Sequence, residues 1–146
     1  MSRSSVFADL PVIDPTIMEG LVELGGDDGG AFVGELVESY VSIAPGIVAN
    51  LEATLGMLHG GPATPHPELR RLEQLAHKLR GMSMNLGAAR VSACARKLEE
   101  TCRAGSSIGV ADWIREIAAA FQEAAEHLRT RWQPGGRLTA EPVQRK

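Results

Sequence analysis

The sequence predicts an all-α fold, an antiparallel four-helix bundle with a short extra N-terminal helix. Apolar residues recur at three- and four-residue steps along four long segments, which is the pattern of amphipathic helices. Short stretches rich in glycine or proline separate these segments, and none shows the alternation of a strand. At 146 residues with 44% hydrophobic content, the chain suffices for one domain with a sizeable core.

The first helix is predicted to begin at Asp14 and Pro15, after a lead-in of residues 1–12. Aspartate caps helices well, and proline is tolerated at the first helical position. Gly25 and Gly26 would end this helix, which we expect to lie as a lid over one end of the bundle. Its apolar face would consist of Ile13, Ile17, Leu21 and Leu24.

The second helix is predicted to be long, with Asp27 or Asp28 as its cap. Pro45 lies inside it and should kink or break it. We favour one bent helix over two separate helices. The apolar stripe consists of Val33, Leu36, Val37, Tyr40, Ala44, Ile47, Val48, Leu51, Leu55 and Leu58.

A loop with the sequence GGPATPHP covers residues 60–67 and leads into the third helix. His59 and His66 flank the loop and are interpreted as surface histidines, because no further metal ligands occur at suitable spacing. The third helix should run from about Glu68 to Leu86. Its buried stripe would be Leu69, Leu72, Ala76, Leu79, Ser83 and Leu86.

The fourth helix should run from about residue 88 to residue 103, and the fifth from about residue 110 to residue 132. The loop between the third and fourth helices is short, which makes these two helices antiparallel neighbours. From Gln133 onward we expect a disordered tail, because the composition is proline, glycine and polar residues. The buried positions would be Val91, Cys94, Ala95, Leu98 and Cys102 in the fourth helix, and Trp113, Ile114, Ile117, Phe121, Ala124, Leu128 and Trp132 in the fifth.

Charge and cysteine content narrow the possible functions. The net charge of −3 gives no general reason to expect nucleic-acid binding. Cys94 and Cys102 lie eight residues apart on one predicted helix, too far for an intrachain disulfide, which suits a reducing compartment. The N-terminus has no signal-peptide pattern, and no segment has about 18 consecutive apolar residues. We therefore expect a cytoplasmic protein.

One segment of the third helix, AHKLRGMSMNLGA from Ala76 to Ala88, concentrates the candidate chemistry. At about 100° per residue, His77 falls far from the buried stripe and points outward. Gly81 follows one helical turn later. Because glycine inside a helix costs about 1 kcal/mol relative to alanine, close approach by another molecule is one explanation for it.

This segment resembles the signature of histidine-containing phosphotransfer (HPt) domains, commonly H-x-L-K-G-S-S-x-x-L-G-A. Arg80 replaces the usual lysine and keeps its charge, whereas Met82 replaces the first serine. The similarity continues over Arg90–Glu100, where the family often has R-x-x-x-x-C/A-x-x-L-E, and extends over residues 14–132 with the flanking helices. The matching positions are His77, Leu79, Gly81, Ser83, Leu86, Gly87 and Ala88.

The resemblance implies that His77 accepts a phosphoryl group from an aspartyl phosphate on a receiver domain. An exposed imidazole offers an unprotonated nitrogen at neutral pH, since histidine ordinarily titrates near pH ~6.5. Lys78 and Arg80 would supply positive charge for the phosphoryl oxygens. Gly81 would leave space for the partner, and Glu99 would fix the histidine tautomer.

Further expectations concern partners and cofactors. Gln74 and Met84 share the outward face of the third helix with His77 and are candidate docking residues. The resemblance implies that Mg²⁺ belongs to the receiver domain, so this chain needs no cofactor or metal of its own. Partners would be receiver domains of response regulators or hybrid sensor kinases, with no nucleic acid or membrane, and the chain would be a monomer. Without a nucleotide-binding loop, it should not phosphorylate itself from ATP.

Two alternatives stay open at this point. The chain could be a non-phosphorylated helical adaptor that binds receiver or kinase domains, with His77 incidental. It could also be the dimerisation and histidine-phosphorylation region of a sensor kinase, although that region usually has an acidic residue directly after the histidine, where this chain has Lys78.

Overall fold

The computed structural model describes residues 7–58, 67–133 and 137–138, and it confirms the predicted all-α fold. The predictions for His59, for His66 and for the loop between them concern positions outside these residues. The elements are α1 (Pro15–Leu24), a 3₁₀ turn (Gly26–Asp28), α2 (Gly29–Met57), α3 (Pro67–Leu86), α4 (Ala89–Arg103), α5 (Val110–Arg131), β1 (Trp132–Gln133) and β2 (Arg137–Leu138).

The four long helices form a closed bundle. Helix α3 packs between α2 and α4, and α5 packs against both α4 and α2, so each helix has two neighbours around a shared core. The stripe predicted for α3 is buried at all six positions. The predicted positions of α4 are buried as well, together with Glu99, which the apolar pattern did not include.

The turn between α3 and α4 also holds α1 in place. Gly87 has a φ of +77°, a left-handed conformation that glycine adopts without strain. The amide of Asp14 donates to the carbonyl of Gly87 at 2.7 Å. Asp14 also caps α1, because its Oδ1 accepts from the amide of Thr16 at 2.9 Å.

The apolar face predicted for α1 is partly wrong. Ile13 is buried, but Ile17 is 40% exposed and Leu24 is 74% exposed. Met18 is buried instead. Helix α1 packs against α2 and α3 from one side, so only a narrow stripe is covered.

Helix α2 is one continuous helix that contains Pro45, which confirms one helix over two, while the bend at Pro45 stays a prediction. Asp28 occupies its N-cap position, but its side chain makes no capping hydrogen bond, so the predicted cap by this side chain is wrong.

The segment Gly26–Met57 is long and apolar enough to cross a membrane by length and composition alone. The core helix of a helical bundle can have the same length and apolar composition, and ten residues of α2 are buried in this bundle.

Two very short strands follow α5. Trp132 pairs with Leu138 and Gln133 with Arg137 in antiparallel register. The sequence pattern did not predict this pairing, because a strand of two residues is too short to show an alternation of apolar and polar residues. Residues 134–136 and 139–146 lie outside the described part, so a disordered tail stays a prediction.

Candidate functional site

The outward face of α3 presents His77 to solvent. Its side chain is 67% exposed, because the stripe that buries Ala76 and Leu79 turns position 77 away from the core. The imidazole is nevertheless fixed, since Nδ1 lies 2.8 Å from Oε2 of Glu99 on α4. The imidazole ring is therefore exposed to solvent while its orientation is fixed by Glu99.

Glu99 is the buried centre of this site. Its side chain is only 3% exposed and lies where α4 packs against α3. Arg80 donates from Nε to Oε1 at 2.9 Å, and Arg103 donates from Nη2 to Oε2 at 2.8 Å. A buried carboxylate is tolerated when charged donors satisfy its oxygens in this way.

Charge and hydrogen bonding together define the tautomer of His77. Burial acts to raise the pKa of Glu99, but hydrogen bonds from His77 and Arg80 outweigh it and hold the pKa below its usual value. The carboxylate is ionised at neutral pH and can only accept, so Nδ1 carries the proton and donates. Nε2 is then the nitrogen with the available lone pair.

Positive charge lies directly beside the ring. Nη2 of Arg80 is 3.4 Å from Nδ1 of His77. Lys78 is exposed next to His77 on the same helix, outside the hydrogen-bonded cluster formed by the described residues. Arg80 is therefore held beside the ring by Glu99, while Lys78 contributes a charge exposed to solvent.

Arg103 was not among the individual site residues predicted from the sequence. It joins Glu99 to Glu73 on α3, donating from Nε to Oε2 of Glu73 at 3.0 Å. The spacing of four residues between Glu99 and Arg103 is a helical pair and could have indicated this contact. The bond to Glu73 depends on how α3 and α4 pack, which no local pattern specifies.

The helix surface around His77 is open. A Cβ atom added at Gly81 would meet nothing within 4 Å. Packing inside this chain therefore gives no reason for glycine here, and a methyl group would project into solvent.

The two predicted docking residues lie on opposite sides of His77. Gln74 borders a shallow hollow that also includes His77, Glu99 and Arg103. Met84 is 54% exposed and approaches Nη1 of Arg80 at 4.0 Å. Both side chains are accessible, so a partner covering His77 can reach either.

The opposite face of α3 is structural. Ser83 is buried and shares a hydrogen bond of 2.7 Å with the Tyr40 hydroxyl. Burial raises the pKa of Tyr40 to about 12, so its phenol stays neutral near pH 7. Met82, which stands where the family pattern has serine, packs against the core. These residues hold α3 against α2.

No group of three or more metal-ligating side chains occurs in the described part of the chain. The two cysteines are buried and not bonded to each other. Burial raises the pKa of each thiol to about 12, so neither is a reactive thiolate near neutral pH.

Comparison with known proteins gives a family match that covers the site. A family model for the Hpt domain matches residues 35–130, about two thirds of the chain, and spans His77 and Glu99. Separate comparisons with curated proteins and with solved structures found no match. The chain belongs to the Hpt domain family, and this membership implies histidine phosphotransfer in a two-component phosphorelay.

Proposed function

We propose that this protein is a phosphocarrier that shuttles phosphoryl groups between receiver-domain aspartates through His77. The supporting observation is the bond from Nδ1 of His77 to the buried Glu99, which leaves Nε2 unprotonated on an exposed ring. A nucleophilic nitrogen must combine access with a defined tautomer, and this histidine has both.

In the transfer step, the Nε2 lone pair attacks phosphorus of the aspartyl phosphate. A P–N bond forms, the P–O bond to the aspartate breaks, and the carboxylate leaves with the electron pair. The imidazole gains positive charge while Nδ1 keeps its proton, and the Glu99 carboxylate stabilises that charge. The reverse attack, by an aspartate of a second receiver, regenerates the neutral ring.

Each supporting residue has a separate role in this proposal. Arg80 stabilises the phosphoryl oxygens, because its guanidinium lies beside the ring and is fixed by Glu99. Lys78 adds charge from solvent. Gly81 leaves room for the receiver to close over the histidine. Mg²⁺ is expected on the receiver, and the protein is expected to act in the cytoplasm as a monomer.

The test is phosphotransfer from labelled receivers. The chain is mixed with a panel of phosphorylated receiver domains from the same genome, and a label that is acid-labile but base-stable is followed on it. We expect label on the wild-type chain and none on His77→Gln. His127→Gln is the matched control, because it removes an imidazole from α5 and should keep the label.

Two results would count against the proposal. Equal label on His77→Gln would place the phosphoryl group elsewhere. Binding of a receiver without any transfer of label would instead favour the non-phosphorylated adaptor.

A further inference from the structure

A short N-terminal segment is fastened to the bundle although it lies outside the part that matches the family model. We call residues 7–10 the N-terminal turn, since the amide of Leu10 donates to the carbonyl of Phe7 at 3.0 Å. Arg90 on α4 donates to the carbonyls of Leu10 at 2.6 Å and Ala8 at 3.2 Å. The Phe7 ring stacks on Trp113 of α5, with centroids 6.1 Å apart.

The N-terminal turn forms one wall of a groove beside the candidate site. Arg80 and Met84 of α3 form the opposite wall, and small residues of α4, including Ala93, form the floor. The groove has a volume of about 570 Å³. Without Phe7 and Leu10 it would be an open helix surface.

The groove lies within reach of any domain that docks on His77. A standard interface covers about 800 Å² per partner, which corresponds to a disc of about 16 Å radius. Met84 is seven residues from His77, or about 10 Å along the helix. A receiver centred on His77 therefore extends over Arg80 and Met84 and into the groove.

The chemistry of the groove indicates what fits it. Its lining includes three cations and one carboxylate together with the apolar side chains of Phe7, Leu10 and Met84. The charged lining residues are Arg80, Arg96, Lys97 and Glu100; Arg80 pairs with the buried Glu99 and Arg96 pairs with Glu100, so Lys97 adds an excess positive charge. An amphipathic helix with an apolar face flanked by acidic residues is complementary to this arrangement.

We infer that the N-terminal turn completes a docking groove for such a helix of the receiver domain. This inference rests on the proposed phosphocarrier function. The part of the chain that matches the family model supplies the histidine and one wall, whereas Phe7 and Leu10, which supply the other wall, lie outside the matched residues.

The experiment compares transfer from a receiver with direct labelling by phosphoramidate, a small donor that needs no docking. Phe7→Ala removes the wall, and Ala93→Glu fills the floor with a negative side chain. We expect each to slow transfer from the receiver by roughly tenfold, and to leave phosphoramidate labelling of His77 within about twofold. Ala119→Glu, at an exposed position of α5, is the matched control and should change neither rate.

A second variant does not depend on the packing of the floor. The pair Arg96→Glu and Lys97→Glu reverses charge at two exposed positions and should slow transfer from the receiver by a similar factor. Wild-type transfer rates in Phe7→Ala and in the charge-reversed variant, with His77 still labelled, would overturn the inference alone. If no receiver labels the wild-type chain while phosphoramidate does, the proposed function fails and this inference fails with it.

Discussion

At the scale of single residues, the site depends on one buried carboxylate. Glu99 accepts from His77, Arg80 and Arg103, and it thereby orients the ring and fixes the nearest cation. The sequence allowed a prediction that Glu99 fixes the tautomer, from its position on the neighbouring helix and from the family pattern. Its almost complete burial was not predictable. Sequence pattern alone assigns an acidic residue at that position to the surface, because the packing of α3 on α4 is not known from the sequence.

The lowered pKa of Glu99 predicts a pH-dependent contribution to stability. The ordinary pKa of this carboxyl, which applies to the unfolded chain, is 4.5. As pH falls below that value, the unfolded state binds a proton at Glu99 before the folded state does, so unfolding becomes easier. The contribution is complete above that value and is lost as pH falls through the folded pKa. Glu99→Gln should lower the free energy of unfolding by about 1–3 kcal/mol at pH 7, and this difference should shrink on acidification.

Urea denaturation of both chains at pH 7, 5 and 3 measures this effect. Glu100→Gln is the control, because Glu100 is an exposed neighbour whose pair with Arg96 should contribute less than about 1 kcal/mol. A difference between wild type and Glu99→Gln that stays constant from pH 7 to pH 3 would rule out this role for the carboxylate.

At the scale of the helices, substitution of Gly81 distinguishes an effect on folding from the proposed effect on partner binding. Gly81→Ala should stabilise the chain by about 0.5–1 kcal/mol, because the new methyl group meets no atom and helix propensity improves. Transfer from a receiver should nevertheless slow by roughly tenfold if the partner closes on this surface. Thermal denaturation and transfer kinetics give the two values.

Gly46→Ala in α2 is the matched variant for this prediction. A Cβ atom there also meets nothing within 4 Å, so stability should rise similarly while transfer is unchanged. Unimpaired transfer by Gly81→Ala would remove the reason for glycine at this position.

The turn between α3 and α4 shows a different use of glycine. Gly87→Ala should destabilise the chain, because φ is +77° and the new Cβ would lie 2.9 Å from Cβ of Ile17. We expect a loss of about 2 kcal/mol or more, measured by urea denaturation. Gly105 has a similar φ of +78° with open space around it. Gly105→Ala therefore measures the effect of backbone strain alone and should lower the free energy of unfolding by less. Equal losses would show that contact with α1 contributes nothing.

Local patterns predicted the helices well and the contacts between them poorly. The α3 stripe was predictable because six residues at helical spacing leave no other buried face. The bonds from Arg90 to the carbonyls of residues 8 and 10 were not, because backbone acceptors have no signature in the sequence. Leu24 was assigned to an apolar face but is exposed. Hydrophobic periodicity does not show which parts of a helix surface another helix covers.

At the scale of the whole molecule, one chain supplies all four helices of the bundle. The core is shared among α2, α3, α4 and α5, so we expect no second copy to be needed for folding. Sedimentation equilibrium at micromolar concentration should give 15.6 kDa, the mass of one chain. A stable species of twice that mass would revive a shared bundle of the kind found in sensor kinases.

In the proposed mechanism, the phosphoryl group attaches to one particular nitrogen of one histidine. NMR correlation of phosphorus and nitrogen in the ¹⁵N-labelled, phosphorylated chain identifies that nitrogen. We predict phosphate on Nε2 of His77, because Nδ1 is bound to Glu99. Phosphate on Nδ1 of His77, or on another residue, would rule out this mechanism.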